Sequence, residues 1–295
     1  MVKLLVISDV HSNFQALEAV LKDAEQFGPY DRHLCAGDVV GYGPQPNEVI
    51  ETLKRRDFFS VMGNHDKEMK IGNSMYGDAK IALKRNREKM KPENHQYVCS
   101  LQQHPYVDSN DQFAMVHATF SRDEDRCVQR YVYTTEDVQQ AMRGLNELSV
   151  QLGIIGHTHL PTTGWGWVDC FAGVREPQQR LTFVQNGLYF HRRSAWAQPD
   201  QPPQHRTFEV EFSELHETLK NDEFASWHKH IIFNPGSVGQ PRNGWIHASY
   251  GIVTVEDGKY TLTTRQVPYD VEKTQTLMRE QKFPKKLIDR LAIGT

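Results

Sequence analysis

Five short segments of the chain carry side chains that bind metal ions: Asp9-Val10-His11, Gly37-Asp38, Gly63-Asn64-His65-Asp66, an isolated His117, and Gly156-His157-Thr158-His159. Carboxylates and imidazoles with an amide oxygen, and no thiolate, form a donor set that suits manganese, iron, zinc, cobalt or nickel. A closed structural zinc site more often uses cysteine. The four cysteines here, Cys35, Cys99, Cys127 and Cys170, lie far apart with no Cys-x-x-Cys pair, so neither a zinc knuckle nor a disulfide frame is expected. Mixed oxygen and nitrogen ligation leaves positions open for water and substrate. A carboxylate can give one oxygen to each of two cations, and Asp38 is the candidate for that role. Two cations roughly 3.5–4 Å apart can activate water and hold oxyanions, which is the chemistry of phosphate-ester hydrolysis.

Such side chains need elements to position them, and each segment directly follows a short apolar run. Val2 to Ile7 reads as a fully buried strand ending at Asp9. A helix from about Ser12 to Phe27 is stopped by Gly28-Pro29. His33 to Ala36 is a second strand, a helix follows Pro46, and Phe58 to Met62 is a third strand. That β-α-β-α-β order predicts a parallel sheet covered by helices. Residues 67 to 110 read as mostly helical, Phe113 to Val116 and Leu152 to Ile155 as strands, and Thr134 to Leu148 as a helix capped by Thr134 or Thr135. In open α/β sheets functional groups gather beyond the carboxyl ends of the strands. Asp9, Asp38, Asn64, His117 and His157 all stand there, so separate segments should deliver their donors to one edge. Singly, Asp9 could be a helix cap, Asp38 a turn residue and His117 a structural histidine; their common placement decides between the readings.

The stretch from 161 to 230 differs. It holds most of the tryptophans and a Pro/Gln-rich run from Gln198 to Gln204, and it reads as a β-rich insertion or lid on one domain spanning 1–295. Tyr250 to Val255 and Tyr260 to Gln266 form a hairpin about Asp257-Gly258, and two helices, one from Val271 and one after Pro284, close the chain. Nothing in the net charge of −3 suggests bulk attraction to nucleic acid or an anionic membrane. No apolar stretch approaches the roughly 18 residues needed to span a bilayer. A cytoplasmic location is therefore the default expectation. Oligomeric state is not legible.

The ordered segments resemble the calcineurin-like metallophosphoesterase superfamily, and Asn234-Pro235-Gly236-Ser237-Val238-Gly239 with Val267-Pro268-Tyr269-Asp270 is similar to its compact bacterial branch of phosphodiesterases and diadenosine-tetraphosphatase-like proteins. The resemblance implies an α/β fold, a four-layer α/β/β/α sandwich, here with the β-rich insertion after the last metal motif. It implies two divalent cations, manganese first, with iron, zinc, nickel or cobalt as alternatives. Asp9, His11, Asp38 and His159 would bind one cation, and Asp38, Asn64, His117 and His157 the other. His65 would give a proton to the leaving oxygen or stabilise the transition state, with Asp66 orienting it. The implied reaction is in-line attack on phosphorus by a hydroxide shared between the metals. The expected partner is a small phosphorylated substrate, a nucleotide among the candidates, and neither a membrane nor nucleic acid. The protein phosphatases of the superfamily carry arginine before Gly-Asn-His, where this chain has Met62. A phosphoprotein phosphatase and a non-catalytic binding scaffold are the alternatives.

Four further residues are candidates for substrate contact. Arg175 and Arg242 could grip a phosphate, since guanidinium forks match its oxygens. Asn13 could support the metal site or cap a helix. Tyr42, in Gly41-Tyr42-Gly43-Pro44, could form a rim or belong to a tight turn. The aromatic residues Trp165, Trp167 and Phe171 read as a small apolar core, with base stacking as the sharper alternative. The basic run Lys84 to Lys91 reads as a solvated helix face.

Overall fold

A computed structural model describes residues 1–72, 75–108, 113–169, 206–211, 227–242 and 244–295. Two sheets lie face to face. The first contains β1 (Val2–Ile7), β2 (Arg32–Cys35), β3 (Phe58–Ser60), β8 (Arg206–Glu211), β10 (Ala248–Glu256) and β11 (Lys259–Val267), in the order β3-β2-β1-β10-β11-β8. The second contains β4 (Tyr106–Asp108), β5 (Phe113–Met115), β6 (Leu152–Ile154), β7 (Thr162–Asp169) and β9 (Trp227–Asn234), in the order β4-β5-β6-β9-β7. In the first sheet β1, β2 and β3 run parallel, and in the second β5, β6 and β9 do.

The period of two along each strand builds the layers. Leu4 and Val6 point between the sheets with Phe113, Met115, Ile231 and Phe233. Leu5 and Ile7 point the other way, onto Leu17 and Val20 of α1 (Phe14–Ala24) and Val49, Ile50 and Leu53 of α2 (Pro46–Arg55). On the far side Ala114, Val116 and Ile232 meet Val138, Ala141, Met142 and Leu145. Those four lie on α7 (Thr135–Glu147), whose cap is Thr134. This is the α/β/β/α sandwich that was expected. Burying a strand on both faces calls for a continuous apolar run, as Val2 to Ile7 shows.

Helices α3 (Asn64–Ile71), α4 (Gly77–Lys89) and α5 (Pro92–Ser100) fill the polar stretch after β3, and the short α6 (Glu124–Gln129) follows β5. Within the basic run, Lys84 and Arg85 pair with Glu88, and Lys91 pairs with Glu51, as a solvated face would. The two sheets claim parts of the 161–230 stretch: β7 pairs along β9, and β8 pairs with β11. Trp165 on β7 packs against the core between the sheets, while Phe171 and Arg175 fall outside the described residues. At the hairpin tip Asp257 and Gly258 both have positive φ, 48° and 78°, which is the turn that suits antiparallel twist. Helices α8 (Val271–Glu280) and α9 (Lys285–Arg290) end the chain. Among the described residues no helix is long and apolar enough to cross a membrane.

Candidate metal centre

The carboxyl ends of both parallel triplets converge, and their loops are laced together. The Asp9 amide donates to Gly37 O and the His11 amide to Asp38 O, at 3.0 and 2.9 Å. From the other sheet, the amides of Val238 and Gly239 donate to Ser8 O and Asp9 O, and Asn234 Nδ2 donates to Gly156 O. This web holds the backbone in a costly shape. Asp9, His11, Asp38, His157 and His159 have φ of 53°, 47°, 52°, 67° and 60°, in the left-handed region. Each costs roughly 1–2 kcal/mol relative to ordinary backbone, and Asp and His are among the non-glycine residues that tolerate it best. Such strain concentrates where geometry serves function.

All seven residues expected as ligands meet here, six of them buried and Asn64 partly exposed. Donor atoms of Asp9, His11, Asp38 and His159 lie within 4.8 Å of one another, as do those of Asp38, His117 and His157. Asp38 belongs to both groups. Its Oδ2 is 3.5 Å from His11 Nε2 and 3.4 Å from His117 Nε2, while Oδ1 accepts the His65 amide at 2.8 Å. Asn64 Oδ1 lies 3.2 Å from His117 Nε2 and joins the second group.

Backbone carbonyls set the imidazole tautomers. His11 Nδ1 faces Val40 O at 3.2 Å, His117 Nδ1 faces Ala36 O at 2.7 Å, and His159 Nδ1 faces Gln240 O at 2.5 Å. A carbonyl only accepts, so each Nδ1 carries the proton and each Nε2 is free to ligate. His157 is reversed: Nε2 faces Gln129 O at 3.2 Å, which frees Nδ1. His11 Nε2 and His159 Nε2 then stand 3.1 Å apart, lone pair toward lone pair. Asp9 Oδ1, buried and without a hydrogen bond among the described residues, lies 3.2 Å from His159 Nε2. A cation held between them would turn that crowding into ligation, and the donors present fit a metal pair.

The electrostatics agree. Burial pushes the Asp9 carboxyl up to about 7, against the pull of His117. Burial holds His157 down to about 3, and His11 and His159 well below the ordinary histidine value. Asp38 goes the other way: its burial is outweighed by His117 and His65, which keep it ionised. His117 also resists its burial, because Asp38 and then Asp9 raise it to about 9. His11, His157 and His159 are thus neutral imidazoles beside an ionised carboxylate, the states that ligation needs, whereas His117 would give up its Nε2 proton to a bound cation.

His65 is buried beside this cluster. Its ring lies 4.7 Å from His11 and 4.5 Å from Tyr42, and its Nδ1 has no hydrogen bond among the described residues. Asp66 does not orient it as expected. The Asp66 carboxylate instead accepts the backbone amides of Val39, Val40 and Gly63, at 3.2, 3.1 and 3.0 Å. It ties the Asp38 loop to the start of α3, so its effect on His65 passes through the backbone. Of the readings for Asn13, the helix cap is the one the structure shows. Asn13 is buried, its Oδ1 caps α1 by accepting the Ala16 amide, and its Nδ2 donates to Gly239 O, so it serves the frame and not a substrate. Tyr42 is at the site, with its ring 4.6 Å from that of His11. Arg242 is near as well, its charge acting on Asp9, His11, His65, His157 and His159.

Sequence reasoning missed three supports. Ser8 Oγ donates to Asp9 Oδ2 at 2.7 Å. Gln240 supplies the carbonyl behind His159. Asn86, buried on α4, holds the Tyr42 turn: it accepts from Ser12 Oγ and the Gly41 amide and donates to Gly43 O. Asn86 stands three and four residues after the buried Leu83 and Ala82, the spacing that places it on the inward face of α4.

The motif glycines are required by close approach. A Cβ on Gly63 would fall 2.1 Å from Asp38 Oδ1, and one on Gly156 would fall 1.9 Å from Ser8 Oγ. Gly63→Ala should therefore displace Asp38 and weaken metal binding by about tenfold or more, in line with the loss of a ligand's support. Isothermal titration with manganese checks this, and unchanged affinity would mean the loop yields without moving Asp38.

The fold and the buried donor cluster define a metal-dependent hydrolase. Residues 2–164, more than half of the chain, match the calcineurin-like phosphoesterase family, and the chain belongs to that family. It is 29% identical over 294 residues to an uncharacterised protein of Methanocaldococcus jannaschii, covering 98% of this chain and 97% of that one. A solved metallophosphoesterase from Sphaerobacter thermophilus is similar with a TM-score of 0.67 at 27% identity, covering 100% of this chain and 99% of that chain. A hypothetical protein from Pyrococcus horikoshii shares the fold, with a TM-score of 0.68 at 18% identity over 100% of this chain and 99% of its own.

Proposed function

We propose that this phosphoesterase hydrolyses small phosphate esters, phosphodiesters and nucleotides foremost. The observation that carries the reading is Asp38 Oδ2 set between two groups of buried donors. Asp9, His11, Asp38 and His159 would hold one cation, and Asp38, Asn64, His117 and His157 the other. Bound there, the two cations would polarise the phosphoryl oxygens and bring the pKa of water toward neutrality. Manganese is the first choice, and iron, zinc, nickel and cobalt suit the same donors.

The chain's own residues complete the chemistry. His65 would protonate the leaving oxygen. Burial holds its pKa down to about 4, and an anionic phosphoryl group beside the ring would offset that burial, so the proton would come with the substrate. Tyr42, packed on His65 and His11, fixes the face each ring shows. Arg242 adds positive charge at the rim. The net charge of −3 favours small substrates over nucleic acid.

The test is hydrolysis of a chromogenic phosphomonoester and a phosphodiester with added manganese, with and without chelator. Turnover of either, lost on chelation, is expected. A metal-loaded sample that cleaves neither would point to a metal-binding scaffold.

A further inference from the structure

Two guanidinium groups stand over the Tyr42 ring. Arg242, just after the β9 loop, and Arg290, at the end of α9, each lie 5.9 Å from its centre. They come from distant parts of the chain, so the fold brings them together. Arg242 donates to Gln240 Oε1 at 3.1 Å, and among the described residues its buried Nε has no partner. Arg290 donates through Nε to the main-chain oxygen of Thr295, which leaves its two terminal nitrogens. Among the described residues neither guanidinium makes an ion pair with an Asp or Glu side chain, although the charge of Asp78 acts on Arg290. The charge of Arg242 opposes that of Arg290, and partial burial of Arg290 strengthens the repulsion. An anion that reached both would relieve it, and guanidinium forks fit phosphate oxygens.

The two cations also have an order. Arg242 acts on the expected metal ligands and on His65. Arg290 acts on Tyr42 and is itself acted on by Arg242. Positive charge thus runs from the metal centre through Arg242 to Arg290. A single phosphoryl group at the metals would engage the ligand set, His65 and Arg242, whose charge acts on them, and would leave Arg290 with only its Thr295 contact and the more distant pull of Tyr42 and Asp78.

We propose that Arg242 and Arg290 form a second anion subsite, and that the substrate carries a second phosphoryl group beyond the one hydrolysed. This rests on the phosphoesterase reading above. The second group is either linked through an anhydride oxygen or borne on a separate hydroxyl. AMP, ADP and adenosine 3′,5′-bisphosphate share one nucleoside and separate these cases.

In the metal-loaded protein, ADP or the bisphosphate should have a KM about tenfold below that of AMP, as one arginine–phosphate contact allows. Arg290→Gln should collapse that KM ratio by about the same factor, and Arg290→Lys should restore part of it. Thermal unfolding confirms that each variant is folded. Equal KM for all three nucleotides in the wild type, or an unchanged ratio in Arg290→Gln, overturns the proposal. Failure to cleave these nucleotides and p-nitrophenyl phosphate alike is failure of the phosphoesterase reading. The subsite is then read by isothermal titration with ADP and the bisphosphate. Binding about tenfold weaker in Arg290→Gln supports it, and equal affinity overturns it.

Discussion

Asp38→Asn is expected to empty both halves of the metal centre together and to lower kcat by about a thousandfold or more. The reason lies in one oxygen. Oδ2 is within reach of donors from both groups, 3.5 Å from His11 Nε2 and 3.4 Å from His117 Nε2. Asparagine keeps the shape but removes the charge and offers one oxygen in place of two. The lost charge is the one that, ahead of Asp9, holds His117 protonated up to about 9, so the surrounding imidazoles lose their strongest shared counter-charge. Asp9→Asn is the control, since Asp9 belongs to one group alone. Metal analysis after dialysis should give about two ions per chain in the wild type, one in Asp9→Asn and none in Asp38→Asn, following the ligand sharing of a two-metal site. Circular dichroism and thermal unfolding establish that the variants are folded. Two ions retained by Asp38→Asn would remove it from the bridging role.

How much of this was legible follows from what each residue's neighbours are. The strands that carry the ligands were readable because central strands need apolar runs, as in Val2 to Ile7, and the donors stand immediately after them. β7 was not read as a sheet strand. Thr162-Thr163-Gly164-Trp165-Gly166-Trp167 has no apolar run, and its place comes from pairing with β9, far along the chain. β8 is different: Thr207 to Phe212 was legible as a strand, but its pairing with β11, more than forty residues further on, was not. At the site, the ligand types were visible but their protonation was not. Val40, Ala36, Gln240 and Gln129 set the tautomers through carbonyls that any residue would have. Asn86 and Arg290 lie in no motif, and only the folded chain brings them to Tyr42. Asp66 shows the opposite error. Its place after His65 suggested a proton-sharing pair, whereas a carboxylate at the third position of a helix reaches back to the amide before that helix.

His65→Ala should separate proton chemistry from metal binding. The contact that links residue 65 to the metal centre is its backbone amide on Asp38 Oδ1, at 2.8 Å, and alanine keeps that amide. Metal content should therefore persist. What is lost is a buried imidazole with an unpartnered Nδ1, 4.7 Å from the His11 ring. Loss of a positioned acid costs about a hundredfold to ten-thousandfold in kcat. The size of the loss should depend on the leaving group. A nitrophenolate departs readily without a proton, while an alkoxide such as a ribose oxygen needs one. kcat for p-nitrophenyl phosphate should thus fall at least about tenfold less than kcat for a nucleotide with a sugar leaving oxygen. KM should change little, because the ring acts as the bond breaks more than in the bound ground state. A uniform fall for both substrates would assign His65 to holding charge in the transition state and not to giving the proton, and an unchanged kcat would take it out of the reaction altogether.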